Sequence, residues 1–264
     1  GGEQRMKIKD TIHFLWYKKL FILFIIFICI ESSIAVTGAD FTEILTNFSQ
    51  IGRFLQQFFP PDFSFLPKII TPLIKTLEIS FLGTILGFLL AVPFSFLASN
   101  VVTKNRIGLL ILRFFLSLIR TIPTLLLAAL MVAIFGIGEA TGVLTITIFT
   151  FGMLSQLMFQ AIETIDLGPI EATEATGATQ LQIAVWSIFP QVASQFFGYA
   201  FYAFEVNVRA STVLGYVGAG GIGIILNTSL SLAKYDRVGI IILVILVMEI
   251  VVDWLSAYVR RTLL

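Results

Sequence analysis

Long apolar runs alternate with short polar segments along most of the chain, a pattern typical of a protein that crosses a membrane several times. The apolar runs cover residues 15–36, 70–98, 107–135, 139–162, 191–214 and 238–258. A bilayer core about 30 Å thick requires roughly 20 helical residues, so each run is long enough to cross it. The pattern therefore predicts an all-α polytopic membrane protein with about six transmembrane helices.

Residues 37–67 follow a different pattern. Apolar side chains recur at helical spacing between Phe41 and Phe58, polar residues lie between them, and Pro60-Pro61 ends the run. This spacing predicts an extracytoplasmic amphipathic helix. Such a helix would lie either on the membrane surface or against an external partner, and the pattern is compatible with both.

A polar segment, residues 163–190, separates the fourth and fifth apolar runs. It carries acidic groups at Glu163, Asp166, Glu171 and Glu174, and it contains no Lys or Arg. An ionised carboxylate at the centre of a bilayer costs roughly 2.5 kcal/mol or more. The segment is therefore predicted to fold outside the hydrocarbon.

The same segment has the signals of two short helices joined at a glycine. Pro169 favours a helix start, and Gly177 favours the break between the helices. The second short helix is expected over residues 179–188, with the fifth span beginning after Pro190. Small side chains leave one side open to close approach by another surface; they are Ala172, Ala175 and Ala178.

Composition supports the membrane class and excludes several function classes. Hydrophobic residues make up 57% of the chain and charged residues 12%, about half of the charged fraction that a soluble domain carries. The formal net charge is +1, so overall charge gives no reason to expect a nucleic-acid partner. The single cysteine, Cys29, excludes an intrachain disulfide, and no grouping of His, Asp, Glu or Cys indicates a metal site or an enzyme.

The chain is expected to divide into an N-terminal part and a core. Residues 1–5 precede Met6, the expected natural start, and we interpret them as a cloning remnant. Residues 6–69 are expected to hold the first span and the amphipathic helix, and residues 70–264 the core transmembrane domain. Basic flanks at the first and last spans predict that both termini are cytoplasmic, and counting spans places residues 163–190 on the same side.

Charged and polar side chains inside the apolar runs mark a candidate translocation path. Glu205 and Arg209 lie four residues apart on one helix face, so they can form an ion pair. Two interpretations remain open: the pair stabilises helix packing near a gate, or Arg209 assists an anion in crossing. Arg120, in the third run, is open to the same two interpretations. Asn207, on a different face from the pair, completes the group.

A glycine-rich stretch over residues 215–223 follows the fifth run. It permits close backbone approach at a gate, an outer loop in contact with an external protein, or a plain turn between two spans. The candidate gate residues in and before this stretch are Ser211, Thr212, Gly218, Gly220 and Gly221.

The polar segment resembles the EAA loop of ABC importer permeases. Glu171-Ala172, Gly177 and Pro190 match that motif in spacing, whereas Thr173, Ser187 and Phe189 depart from it. The resemblance implies a coupling helix that sits in a cleft of a cytoplasmic ATPase. The residues implied in this contact are Glu171, Ala172, Glu174, Ala175, Gly177, Ala178 and Pro190.

A second stretch resembles the phosphonate-type permeases. It runs from Phe204 to Gly215 and contains Glu-Val-Asn-Val-Arg-Ala-Ser-Thr, and Gly-Ala-Gly-Gly-Ile-Gly follows at residues 218–223. The resemblance implies a type I ABC importer permease that moves a phosphonate, or a related small phosphorus oxyanion, by alternating access. An ABC permease for another small solute, such as an amino acid, and an ion-driven secondary transporter remain alternatives.

The implied transporter needs other subunits. The chain has no Gly-x-x-x-x-Gly-Lys-Ser/Thr sequence, so ATP and magnesium are expected in a partner ATPase, with no cofactor or catalytic residue in this chain. The resemblance implies two ATPase copies, a second permease copy or related permease chain, an extracytoplasmic substrate-binding protein and surrounding lipid. It also implies a multi-pass location in the cell membrane of a prokaryote.

Overall fold

A computed structural model describes residues 16–38 and 46–263, with side chains through Thr262. Every regular element within these ranges is helical. The predicted remnant at residues 1–5 and the predicted start at Met6 lie outside the described residues.

The described residues up to Gln56 belong to the first of two compact units. Its helix α1, Trp16–Thr37, has no distinct polar face and a mean hydropathy of 2.5, as a membrane span requires. Helix α2, Phe48–Gln56, places its apolar and polar side chains on opposite faces, as predicted. The predicted beginning of this amphipathic helix, around Phe41, lies outside the described residues.

The second compact unit, residues 57–264, is built around two long helices in extensive contact. Helix α3 covers Leu66–Ala98 and helix α6 covers Glu139–Ile162. A methyl group added at Gly87 would lie 2.6 Å from the Thr150 side chain. The glycine therefore permits the close approach of these two helices.

A hydrogen bond and an ion pair connect the chain before α3 to the chain near the start of the last long helix. The Asp62 N–H donates to the Asp236 carbonyl at 3.2 Å, and the Asp62 carboxylate lies 3.7 Å from Arg237. A hydrogen bond from the Ser64 hydroxyl, the largest cause, holds the pKa of Asp62 below its ordinary value. These two contacts of Asp62 connect segments that are far apart in sequence.

The third apolar run, residues 107–135, forms two helices instead of one continuous helix. Helix α4 covers Arg106–Thr121, helix α5 covers Thr124–Phe135, and the two are bent by 90°. The break falls at Ile122-Pro123. Proline lacks the N–H that continues a helix and pushes the preceding residue into an extended conformation, which Ile122 adopts with φ −72° and ψ 121°.

The polar segment folds differently from its prediction at its second half. Helix α7 covers Gly168–Ala175; helix α8, Gln180–Ile183, continues through a wide π-turn, Ala184–Ile188, into helix α9, Phe189–Leu214. The predicted separate span starting after Pro190 is therefore wrong, because the helix is unbroken from residue 180. A π-turn widens the helix just ahead of Pro190, which accommodates a ring that has no N–H and crowds the preceding turn.

A further helix lies between the glycine-rich stretch and the sixth apolar run, where no helix was predicted. Helix α10, Ile222–Ser231, follows the glycine-rich stretch and is bent by 46° from the helix before it. Its first residue packs in a buried cluster with Ile69 and Ile240. Helix α11, Tyr235–Leu263, then covers the sixth apolar run.

Four helices in the described ranges are individually long and apolar enough to cross a membrane, and six spans result if each bent pair is counted as one. The four are α1, α3 with the short turn before it, α6 and α11. The two bent pairs are α4 with α5, and the helix from residue 180 with α10. The predicted number of about six spans corresponds to the upper of these counts.

Candidate functional site

The first arm of the polar segment, α7, presents an exposed acidic and small-residue surface. Glu171 lies in its first turn, where the positive end of the helix dipole favours a carboxylate. Ile170 is buried and holds the arm against the helical bundle. The exposed residues of this surface include Glu171, Ala172, Glu174, Ala175 and Gly177.

The turn between the two arms depends on a left-handed glycine. Gly177 has φ +78° and its N–H donates to the Glu174 carbonyl at 2.9 Å. The second arm begins with a capping box, in which Thr179 and Gln182 exchange side-chain and backbone hydrogen bonds. Ala178 is partly buried against the core, so it positions the turn instead of presenting a free surface.

A hydrogen bond joins the two arms at two of the three positions that depart from the EAA pattern. The Thr173 hydroxyl donates to the Pro169 carbonyl at 2.8 Å, and its oxygen lies 2.6 Å from the Ser187 hydroxyl oxygen. These two departures are therefore partners of each other. The sequence showed both residues but did not show that they meet.

The second arm also presents large apolar side chains. Leu181 and Trp186 are each 74% exposed, and Pro190 is exposed as well. Beside this arm lies an apolar cavity of about 580 Å³, lined in part by Val92, Phe96 and Val185. Together the arms form a surface with both apolar and acidic contacts, suited to another macromolecule or to lipid.

An ion-pair network fixes the place where α6 ends and the polar segment begins. The Glu163 carboxylate accepts from Arg113 and from the Asn100 N–H at 3.0 Å. Arg113 also donates to the Ala98 carbonyl at 2.8 Å, and its guanidinium lies 4.5 Å from the centre of the Phe159 ring. This network was not predicted, because Arg113 and Glu163 are 50 positions apart in the sequence.

The expected Glu205–Arg209 ion pair is present, and a third residue joins it. Arg209 contacts one carboxylate oxygen of Glu205, and Arg260 lies 3.4 Å from the other. The Glu205 side chain is only 11% exposed, whereas Arg209 is 53% exposed. Sequence analysis considered Arg260 only as the basic end of the last span, because nothing in a sequence brings residues 205 and 260 together.

Asn207 lies in the packed core, at the crossing of three helices. Its side-chain amide donates to Thr84 on α3 at 2.8 Å and to Thr150 on α6 at 2.7 Å. Its backbone carbonyl accepts from the Ser80 hydroxyl at 3.2 Å. The side chain is fully buried, so Asn207 holds helices together, and its predicted place in a path remains a prediction.

The glycine-rich stretch is a bend packed against α3 and α6. Gly218, Gly220 and Gly221 have φ between +77° and +94°, a region that favours glycine. The Thr76 hydroxyl on α3 accepts from the Ile222 N–H at 2.8 Å. A methyl group at Gly142 of α6 would lie 2.2 Å from a carbonyl oxygen of this stretch.

The other candidate path residues differ in their exposure. Ser211 and Thr212 are buried, and the Thr212 hydroxyl donates to the Arg209 carbonyl at 2.6 Å. Arg120 is exposed in the last turn of α4, just before the Pro123 break, and it has no ion-pair partner among the described residues. Within the described ranges, no three His, Cys, Asp or Glu side chains converge to hold a metal ion.

A family model covers most of the second compact unit. The model described as "Binding-protein-dependent transport system inner membrane component" matches residues 83–264. These residues include the polar segment, the Glu205–Arg209 ion pair and the glycine-rich stretch.

Several curated proteins are similar over long stretches. The phosphite transport system permease protein PtxC of Stutzerimonas stutzeri is 35% identical over 261 residues, which are 98% of this chain and 95% of that protein. The phosphate-import permease protein PhnE of Mycolicibacterium smegmatis is 33% identical over 82% of this chain and 41% of its own length.

Solved structures share the fold. An inward-facing structure of the MetNI methionine ABC transporter matches with a TM-score of 0.67 at 20% identity, over 77% of this chain and 99% of the solved chain. An amino acid ABC transporter crystallised with histidines matches with a TM-score of 0.63, also at 20% identity, over 75% of this chain and 95% of its own. At this identity the likeness concerns the fold alone.

Proposed function

The chain belongs to the family of inner membrane components of binding-protein-dependent transport systems, and on that premise we propose that it carries a small phosphorus oxyanion as the permease subunit of an ABC importer. The observation that carries the proposal is the 35% identity to a phosphite transport permease across nearly the whole of both chains. A relative named for phosphate import supports the same substrate class. Phosphite, phosphate and simple phosphonates are its members.

The hinged polar segment, residues 163–190, is proposed as the contact with the ATPase. Its exposed Glu171, Ala172, Glu174 and Ala175 lie on one side of the Gly177 turn. The lack of basic residues means that the contact would depend on shape and apolar packing, with Glu171 as its main charged group. Leu181 and Trp186 extend this surface onto the second arm.

The other subunits follow the usual needs of such an importer. ATP and magnesium would bind in two copies of a partner ATPase, and a second permease copy or related chain would complete the path. An extracytoplasmic binding protein would deliver the substrate. In this arrangement both termini and residues 163–190 are cytoplasmic, residues 6–69 form an accessory N-terminal part, and residues 70–264 form the permease core.

Substrate movement would follow alternating access. Approach of the two ATPases on ATP binding would bring the two polar segments together and turn the path outward. The arginines near Glu205 would then meet an anion released from the binding protein, with charge-assisted hydrogen bonds to its oxygens. A binding protein that sets selectivity allows the path itself to bind weakly and to release its substrate.

Reconstitution tests the substrate class. The permease, its ATPase and its binding protein would be placed in proteoliposomes, and uptake would be measured for phosphite, phosphate, methylphosphonate and methionine. We expect ATP-dependent uptake of one or more oxyanions and none of methionine. Calorimetry of the binding protein with the same four compounds gives an independent measurement.

Two results would contradict the proposal. Uptake of methionine without uptake of any oxyanion would identify an amino-acid importer, which is the alternative that the solved neighbours represent. Uptake without the ATPase, driven by an ion gradient, would exclude an ABC importer altogether.

A further inference from the structure

The Glu205 carboxylate divides its two oxygens between two arginines from different helices. Arg209, one turn further along α9, contacts Oε1, and Arg260, near the end of α11, lies 3.4 Å from Oε2. Two positive charges and one negative charge leave the cluster with a net charge of +1. The cluster is therefore attractive to an anion even while Glu205 remains ionised.

The two arginines differ in their surroundings. Arg209 is 53% exposed, whereas Arg260 is 27% exposed. The helices that carry them are packed together, because Val208 on α9 lies in a buried cluster with Met248 and Val252 on α11. Arg209 is thus the arginine with more room to turn toward a ligand, and Arg260 is the more enclosed of the two.

We propose that Arg260 acts as the counter-charge that lets Arg209 leave Glu205 and bind the passing oxyanion. If Glu205 had Arg209 as its only partner, releasing that arginine would leave a nearly buried carboxylate without a counter-charge, which is strongly unfavourable. With Arg260 on the other oxygen, Glu205 stays paired throughout. This inference rests on the function proposed above.

The same arrangement explains how a positive site can release its ligand. The planar guanidinium fork of Arg209 fits the oxygens of a phosphorus oxyanion as it fits a carboxylate. Glu205 stays beside it as an intramolecular competitor, so departure of the anion is compensated by return of Arg209 to Glu205. Binding is therefore weak enough for passage, as conduction along any path requires.

Two double variants of equal net charge test the role. Glu205→Gln with Arg260→Gln removes the competitor and the counter-charge but keeps Arg209, and Glu205→Gln with Arg209→Gln keeps Arg260 instead. We expect the variant that retains Arg209 to take up oxyanion at least about ten-fold faster than the variant that retains Arg260. A purely structural ion-pair network predicts equal rates, because both variants lose one Glu and one Arg.

Single variants give the complementary measurement. Arg260→Gln alone should confine Arg209 to Glu205 and lower uptake by about ten-fold, and adding Glu205→Gln should recover much of that loss. Arg209→Lys keeps the charge but not the fork, so it should lower uptake while the melting temperature stays near that of the wild type. This variant keeps the test decisive if either double variant fails to fold.

The outcomes separate this inference from the proposed function. If the wild-type complex takes up phosphite, phosphate or methylphosphonate but both double variants transport at the same rate, the role of Arg260 is overturned and the proposed function stands. Unchanged uptake in Arg209→Lys would also overturn it. If the wild-type complex takes up no oxyanion at all, the proposed function fails first and this inference fails with it.

Discussion

Asn207 shows how much a single buried side chain can organise in an apolar bundle. It supplies two donors to hydroxyls on two other helices, and both hydrogen bonds lie in the core. Its amide oxygen Oδ1 is buried and has no hydrogen-bond partner in the described part of the chain. The residue therefore contributes two hydrogen bonds but also carries a desolvation cost, so its net contribution is moderate.

Replacement of Asn207 tests the contribution of its two hydrogen bonds. Asn207→Leu should destabilise the protein by about 1–2 kcal/mol, since two hydrogen bonds are lost and the unsatisfied oxygen is removed with them. Thr84 limits the loss because its hydroxyl already donates to the Ser80 carbonyl at 2.6 Å. Thermal unfolding in detergent is the measurement, with Asn227→Leu on the less buried α10 as the control. Equal melting temperatures for the two variants would show that the hydrogen bonds contribute little.

At the scale of elements, glycines determine how closely the helices approach one another and the glycine-rich stretch. Gly142 on α6 faces the glycine-rich stretch, where an added methyl group would meet the Ala219 carbonyl oxygen at 2.2 Å. Gly198 on α9 is also buried and helical. A methyl group there would have no atom within 4 Å apart from its chain neighbours and the backbone of its own helix. The two glycines have the same local conformation and opposite surroundings.

This contrast gives a matched pair of variants. Gly142→Ala should destabilise the protein by about 1–3 kcal/mol, because the backbone of the glycine-rich stretch has to move. Gly198→Ala should be neutral or stabilising by up to about 1 kcal/mol, because alanine favours the helix and fills open space. Melting temperatures and protease cleavage near residues 215–223 measure both effects. An unchanged melting temperature in Gly142→Ala would mean that the glycine-rich stretch is loosely packed against α6.

At the scale of the whole molecule, the polar segment is the part that can transmit a movement. Its first arm and its second arm are joined by the Gly177 turn and by the Thr173–Ser187 hydrogen bond. The second arm continues without a break into α9, which carries Glu205 and Arg209. A displacement of the second arm therefore reaches the charged cluster along one helix.

The Gly177 turn provides a test of this coupling. Gly177→Val should lower binding-protein-stimulated ATP hydrolysis by about ten-fold, because a β-branched residue at a left-handed φ costs roughly 1–2 kcal/mol. Gly177→Asn should retain most of the activity, since asparagine tolerates this conformation. The first side-chain carbon of either residue meets no steric obstacle, because a methyl group at Gly177 has no neighbour within 4 Å. Equal activities in the two variants would separate the turn conformation from coupling.

Several helices were predictable because their signals are local. The first, second and fourth apolar runs match α1, α3 and α6 closely, since apolar composition and length are enough to define a span. The bend at Pro123 had a local signal as well, namely the proline itself. The apolar run is long enough to predict one span, so the bend was not predicted. The continuous helix through Pro190 had no such signal, because a proline usually marks a boundary.

The sequence by itself determined that this chain is helical, that it spans a membrane, and that a glycine-hinged polar segment lies between two of its spans. Those properties follow from composition and from spacings of a few residues. Only the tertiary structure decided that Thr173 meets Ser187, that Asn207 joins three helices, and that Arg260 shares Glu205 with Arg209. Such contacts depend on how helices pack, and packing brings together residues whose separation along the chain contains no information about their distance.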